Sequence, residues 1–199
     1  CYGFNHEEGV RCFEKALVAD PGMAMAYWGI AYAWGPNINK MEIEASQIAK
    51  AEFALQLAKL HAEDCTPLER SLIEALATRY ATPAPEDRDP LNRSYADALR
   101  MIYQEHDDDP LVATVYAESL MNLQPWKHWS PDGEPGLHTA EIVKVLEAGL
   151  QRWPEYPSLC HLYIHAMEAS PTPEKALSAA NQLRNAMPGQ GHLVHMPSH

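Results

Sequence analysis

HEEGVRCFEKALVADP (residues 6–21) and GMAMAYWGIAYAW (residues 22–34) together describe two helices joined at a proline. In the first, Gly9 and Ala16 are small, Phe13 is bulky, and Pro21 halts the outgoing helix because its ring blocks continuation. In the second, Tyr27, Ile30, Ala31 and Trp34 recur at helical spacing. Small residues let two helix axes approach closely and the aromatics fill the remaining gap. The same punctuation returns three times. YADALRMIYQEHDDDP ends at Pro110, with Ala98 and Ile102 in the small and bulky places. EIVKVLEAGLQRWP ends at Pro154 with Leu146 as its bulky residue, and PEKALSAANQLRNAMP ends at Pro188 with Ala176 and Leu183 apolar. Pro154 and Pro188 are 34 residues apart; the earlier intervals, 89 and 44 residues, call for insertions or a longer helix pair.

Between these marks, Met41 to Ala62 predicts an amphipathic helix with Ile48, Phe53, Leu57 and Leu60 on its apolar side. Leu68 to Tyr80 predicts another, opened by Pro67 and Glu69. ATPAPEDRDP (81–90) and QPWKHWSPDGEP (124–135) are irregular connections. No stretch alternates apolar and polar residues as a half-buried strand does. The fold class is therefore all-α, a helical-hairpin solenoid with irregular insertions, in one domain over residues 1–199 and with boundaries near Pro21, Pro110, Pro154 and Pro188. Residues 1–17 resemble a second helix without its first, and HLVHMPSH (192–199) resembles a helix just opening, so the chain is expected to be part of a longer solenoid.

Composition narrows function. The 199 residues carry a formal net charge of −12 and are 46% hydrophobic and 21% charged, values of a globular chain. That acidity opposes nucleic-acid binding, which draws on Lys and Arg to neutralise phosphates. No apolar run approaches the ~18–20 residues of a membrane span, and no signal-peptide pattern opens the chain. The four cysteines, at 1, 12, 65 and 160, form no C-x-x-C pair, and Cys12 and Cys160 are expected as small buried residues. Nucleophile elbows, phosphate-binding glycine loops and H-E-x-x-H are absent. His6 is expected to cap or pair near a helix start, and Trp126, His128 and Trp129 to pack a connection.

The histidines are the chemical signal. Five of the ten lie in the last 39 residues: His161, His165, His192, His195 and His199. His161 and His165 are one turn apart on a helix, so both can reach a single ion, with Glu168 three residues further. His161 and His195 each stand seven residues past a closing proline, and His165 and His199 each stand eleven past. The two pairs should therefore face one another across neighbouring helices ~8–10 Å apart, four imidazoles meeting at one ion. Pro197 tells against a continuous helix there, since an interior proline costs ~3 kcal/mol. The expected ligands are His161, His165, His192, His195 and His199, with Glu168 as ligand, as partner behind a ligand, or as base. An imidazole-rich set without thiolate suits zinc, copper or iron, and an open position would allow a metalloenzyme's activated water or dioxygen.

The alternating small, aromatic and proline residues and the 34-residue interval resemble the tetratricopeptide repeat. The phrases GFNHEE (3–8), AMAYWGIAYAWGPN (24–37), HLYIHAMEAS (161–170) and GHLVHMPSH (191–199) further resemble those of a group of bacterial tetratricopeptide proteins. The resemblance implies a concave groove lined by the first helix of each hairpin. By position it implies that Trp28, Tyr32, Met121 and Ser158, with the histidines, face that groove. It implies no reaction. The alternative function is a non-catalytic scaffold whose groove holds a peptide or protein partner, the histidines supplying hydrogen bonds.

Overall fold

The computed structural model describes residues 1–199, and regular structure in it is helical. Ten α-helices follow in order: α1 (His6–Ala19), α2 (Ala24–Trp34), α3 (Ala45–Leu60), α4 (Pro67–Ala77), α5 (Asp89–Glu105), α6 (Pro110–Asn122), α7 (Thr139–Arg152), α8 (Pro157–Met167), α9 (Leu177–Ala186) and α10 (Gly191–His195). Pairing of extended backbone is limited to two isolated bridges, Asn37 with Lys40 and Trp129 with Pro135. No helix is long and apolar enough to cross a membrane. Turns lie at Pro21, Pro154 and Pro188, and Pro110 opens α6 directly after a turn.

Local chemistry sets the helix starts. Thr66 accepts from the Glu69 amide while the Glu69 carboxylate reaches back to the Thr66 amide, and Pro67 occupies the first position of α4. Asp109 accepts from the Leu111 and Val112 amides at the start of α6. Asn5 does the same for Glu8 at α1, whose first turn carries Glu7 and Glu8 toward the positive end of the helix dipole.

The chain divides into two compact units, Cys1 with Asn5–Ile102, and Tyr2–Phe4 with Tyr103–His199. In the first, α2 packs against α1, α3 and α4. The Trp28 indole donates to the Leu72 carbonyl at 3.1 Å and the Tyr80 hydroxyl donates to the Ala31 carbonyl at 3.0 Å, tying α4 to α2. The apolar side of α3 differs from the expected one. Phe53 is 63% and Leu60 72% exposed, whereas Ile48, Ala51, Ala54, Leu55 and Ala58 are buried. Alanines on α3 meet an α2 rich in buried alanines (Ala24, Ala26, Ala31, Ala33), so closeness of approach outweighs side-chain size in choosing the buried face. On its other contact, with α1, α2 is equally close: at Gly29 a Cβ would lie 2.3 Å from Phe13 Cζ.

In the second unit, α6, α7, α8 and α9 pack in sequence, and α6 also touches α8. Every residue of α8 from Ser158 to Met167 is buried, so this helix is the unit's axis. It begins at Pro157, whose missing N–H costs nothing in a first turn. Cys160 is fully buried and donates its thiol to the Pro154 carbonyl; Cys12, by contrast, is exposed on α1.

Replacing Gly29 with alanine should cost about 1–3 kcal/mol of stability by overpacking. Urea denaturation checks this, and the loss should shrink when Gly29→Ala is made together with Phe13→Leu, because the two positions share one contact.

Candidate metal centre

Three pieces of chain in the second unit converge on α8. From α8 come His161 and His165, 1% and 3% exposed. From α10 comes His192, and from residues 2–4 comes Phe4. The ligating atoms of His161, His165 and His192 lie within 4.8 Å of one another. Nε2 of His161 is 3.0 Å from Nε2 of His192. Donor nitrogens around a tetrahedral ion at ~2.0–2.1 Å stand about 3.3–3.4 Å apart. The His161–His192 separation is therefore near ligand spacing, and His165 stands within 4.8 Å of both.

Glu168 organises the rings. Nδ1 of His165 is 3.1 Å from Glu168 Oε1, and Nδ1 of His199 contacts Glu168 Oε2. Burial alone would raise the Glu168 pKa, but the hydrogen bonds from His165 and His199 hold it below its ordinary value, so the carboxylate is ionised and accepts from both. With its proton on Nδ1, His165 turns a lone pair on Nε2 inward, and that atom is buried without a hydrogen-bond partner. A carboxylate behind a histidine fixes tautomer and ring orientation in metal sites and strengthens the ring as a donor. His161 is held neutral: burial first, then the neighbouring His165 and His192, push its pKa well below 6.5. His192 is lowered by burial and by the His165, His195 and His199 rings around it.

His165, Glu168 and His199 form a second group with ligating atoms within 4.8 Å of one another, so His165 belongs to both. Nε2 of His199 is 3.1 Å from Nε2 of His195, and Ser198 holds the His195 end of this pair. The pairing across repeats thus differs in part from the one the proline offsets predict. His199 does lie against His165, ring centroids 5.5 Å apart, and contacts Glu168 and His195, but His161 meets His192 rather than His195. The cause is Pro197. It limits α10 to five residues and turns Met196–Ser198 into a 3-10 segment, so His192 sits in the opening turn and His195 and His199 fall to the side.

Aromatic rings close the site. Phe4 lies 4.9 Å from His161, 4.9 Å from His192 and 5.9 Å from His165, centroid to centroid. The Trp126 ring meets His165 edge-on at 5.5 Å and is itself 53% exposed. Phe4 (φ 53°) and Trp126 (φ 60°) are the two residues other than glycine with left-handed backbone. Both strained residues rest on the same imidazole, as expected where surrounding structure enforces a functional geometry. The Gly3 backbone runs against Gln190 and Leu193, which explains how so short a segment is anchored. His128 is a further buried ring. Its Nδ1 lies 3.2 Å from Gln124 Nε2, Gln124 is fixed by Thr139, and burial with the nearby His165 lowers its pKa to about 4.

Sequence reasoning missed Phe4 and gave Trp126 and His128 packing roles; a lone aromatic between Gly3 and Asn5 carries no periodicity to mark it. The four residues expected to line a groove are all buried: Trp28 stacks on Tyr32 at 5.3 Å in the first unit, and Met121 and Ser158 lie in the interior of the second. His6 contacts Asn37, and its pKa falls to about 4 through burial and the charge of the amino terminus. A cavity of about 260 Å³ in the second unit, lined by Glu147, Leu150, Pro154, Tyr163 and Lys175 among others, contains none of the histidines.

His128 and His6 bind protons more weakly folded than unfolded, so the metal-free chain should lose stability as pH falls from about 6.5 toward 4. Each such shift is worth on the order of 3 kcal/mol at the bottom of that window. Glu168, whose pKa is also lowered, acts in the same sense but only below the ordinary carboxylate range. Glu118, raised to about 8 by burial, opposes the trend across the window, and the lowered His161 and His192 add to it, so the histidines together outweigh Glu118. Urea midpoints at pH 7 and pH 5 should show the drop. No family model, curated protein or solved structure matches the chain.

Proposed function

We propose that the second unit binds a transition-metal ion, zinc, copper or iron, through Nε2 of His161, His165 and His192. The observation that carries this reading is the buried, partnerless Nε2 of His165, aimed by Glu168 into two further imidazoles. Leaving such an acceptor unmet costs about 1–3 kcal/mol. An ion meets that lone pair and replaces the proton shared by the His161 and His192 nitrogens. Three imidazoles leave a fourth position of a tetrahedral ion for water or substrate, the arrangement of catalytic rather than structural sites. His199, against His165, and His195, 6.5 Å from His192, would be further donors or proton carriers. A metalloenzyme that activates water or dioxygen is therefore the form of this function we favour.

We also infer that the helices belong to a tetratricopeptide-like solenoid. Contacts of α6 with α8 and of α2 with α4, each skipping one helix, support stacked hairpins, as does the interval between Pro154 and Pro188. The scaffold reading, in which a peptide or protein partner occupies the groove, gains nothing from Trp28, Tyr32, Met121 or Ser158, since none offers an open face.

Elemental analysis of the purified chain should find about one metal per chain, removable by chelator and raising Tm when restored. His165→Ala should reduce metal affinity more than 100-fold, and Glu168→Gln by about 10- to 100-fold. A metal-free protein whose Tm ignores added zinc, copper and iron would overturn the reading. Affinity unchanged in His165→Ala would do so equally.

A further inference from the structure

A second polar cluster lies in the first unit, where the α4 C-terminus meets the start of α5. Arg79 is 1% exposed. Its Nε donates to Asn92 Oδ1 at 3.1 Å and its guanidinium lies 5.0 Å from the Tyr95 ring. The charged groups acting on it are the phenols of Tyr95 and Tyr80; no carboxylate is among them. Arg88, partly exposed, donates through Nη2 to the Arg79 carbonyl at 2.8 Å and stacks 5.7 Å from the Tyr80 ring. Its Nε and Nη1 are buried with no partner, and so is the Tyr95 hydroxyl. Glu52 is the one acid that acts on Arg88, and its carboxylate is bonded to the Thr82 hydroxyl. The Tyr80 hydroxyl is already committed to the Ala31 carbonyl.

The inventory is one-sided. Two guanidiniums repel one another at short range, and the unmet groups around them are N–H and O–H donors. A buried charge without a counter-ion is among the costliest features a fold can carry, and arginine cannot escape by losing its proton. An oxyanion supplies both the missing charge and the missing acceptors, and the planar guanidinium fork matches carboxylate and phosphate geometry. The backbone at Gly35 packs closely against this cluster. At Gly35 a Cβ would stand 2.7 Å from the Tyr80 hydroxyl and 3.5 Å from Arg79 Nη1, so a side chain there would crowd the guanidinium. Arg88 is exposed enough to meet an anion first, and Arg79 lies behind it.

We propose that Arg79, Arg88 and the Tyr95 hydroxyl form an anion site that takes the carboxylate or phosphate group of a small molecule. The site is separate from the histidine cluster and does not depend on metal. Thermal unfolding of the metal-free full chain tests it, with inorganic phosphate and succinate as probes and chloride at matched ionic strength as reference. One or both probes should raise Tm by several degrees beyond chloride, a response to phosphate alone assigning a phosphate ligand and to succinate alone a carboxylate. Arg88→Met should abolish the rise while leaving the anion-free Tm near wild type. Arg79→Met should also abolish it, with an anion-free Tm at or above wild type because the unpaired charge is gone. If neither probe exceeds chloride, or if the rise survives in Arg88→Met, the anion site is refuted; should Arg79→Met not fold, Arg88→Met still decides.

Discussion

A carboxylate that accepts from two imidazoles at once sets the geometry of the second unit's chemistry. Glu168 caps the end of α8, one turn beyond His165, and its two oxygens serve His165 and His199 separately. That one contact chooses the tautomer of His165 and therefore which nitrogen faces the interior. Burial first holds His161 and His192 in the neutral form that a ligand needs, and the Phe4 ring packs against His161. Without the carboxylate, His165 would be free to turn its Nδ1 inward and the three nitrogens would lose their common focus.

The helical class, several helix boundaries and the grouping of the C-terminal histidines were legible in the chain. Prolines and caps are local signals, so α4, α6 and α8 start within a residue or so of Pro67, Pro110 and Pro157. The i, i+4 spacing of His161 and His165 likewise survives folding because it depends on one helix alone. Inference across helices was right in part only: His199 lies against His165 as expected, but His161 meets His192 instead of His195. Equal offsets from Pro154 and Pro188 assume identical helices, and Pro197 breaks that identity by cutting α10 short. The face of α3 was misjudged because Phe53 and Leu60 outweigh alanine on a hydropathy scale, whereas packing against α2 rewards small volume. Phe4 reaches the triad by tertiary placement of three residues, for which no period exists to be read.

The two units handle buried polarity in opposite ways. The second surrounds neutral imidazoles with one ionised carboxylate and aromatic edges, so the local charge is small and acceptors are in surplus. The first buries a permanent cation against phenol rings and an amide, with donors in surplus. Each imbalance identifies the chemistry that would complete it, an electrophilic ion in one case and an oxyanion in the other.

The indole edge of Trp126, 5.5 Å from the His165 ring and open to solvent on its other side, gives the cluster an intrinsic optical reporter. Its emission is sensitive to the charge on that imidazole and is quenched by a nearby paramagnetic centre such as cupric ion. Occupancy of the pocket is thereby written into the fluorescence of the unlabelled polypeptide, and a spectrometer can follow it in real time.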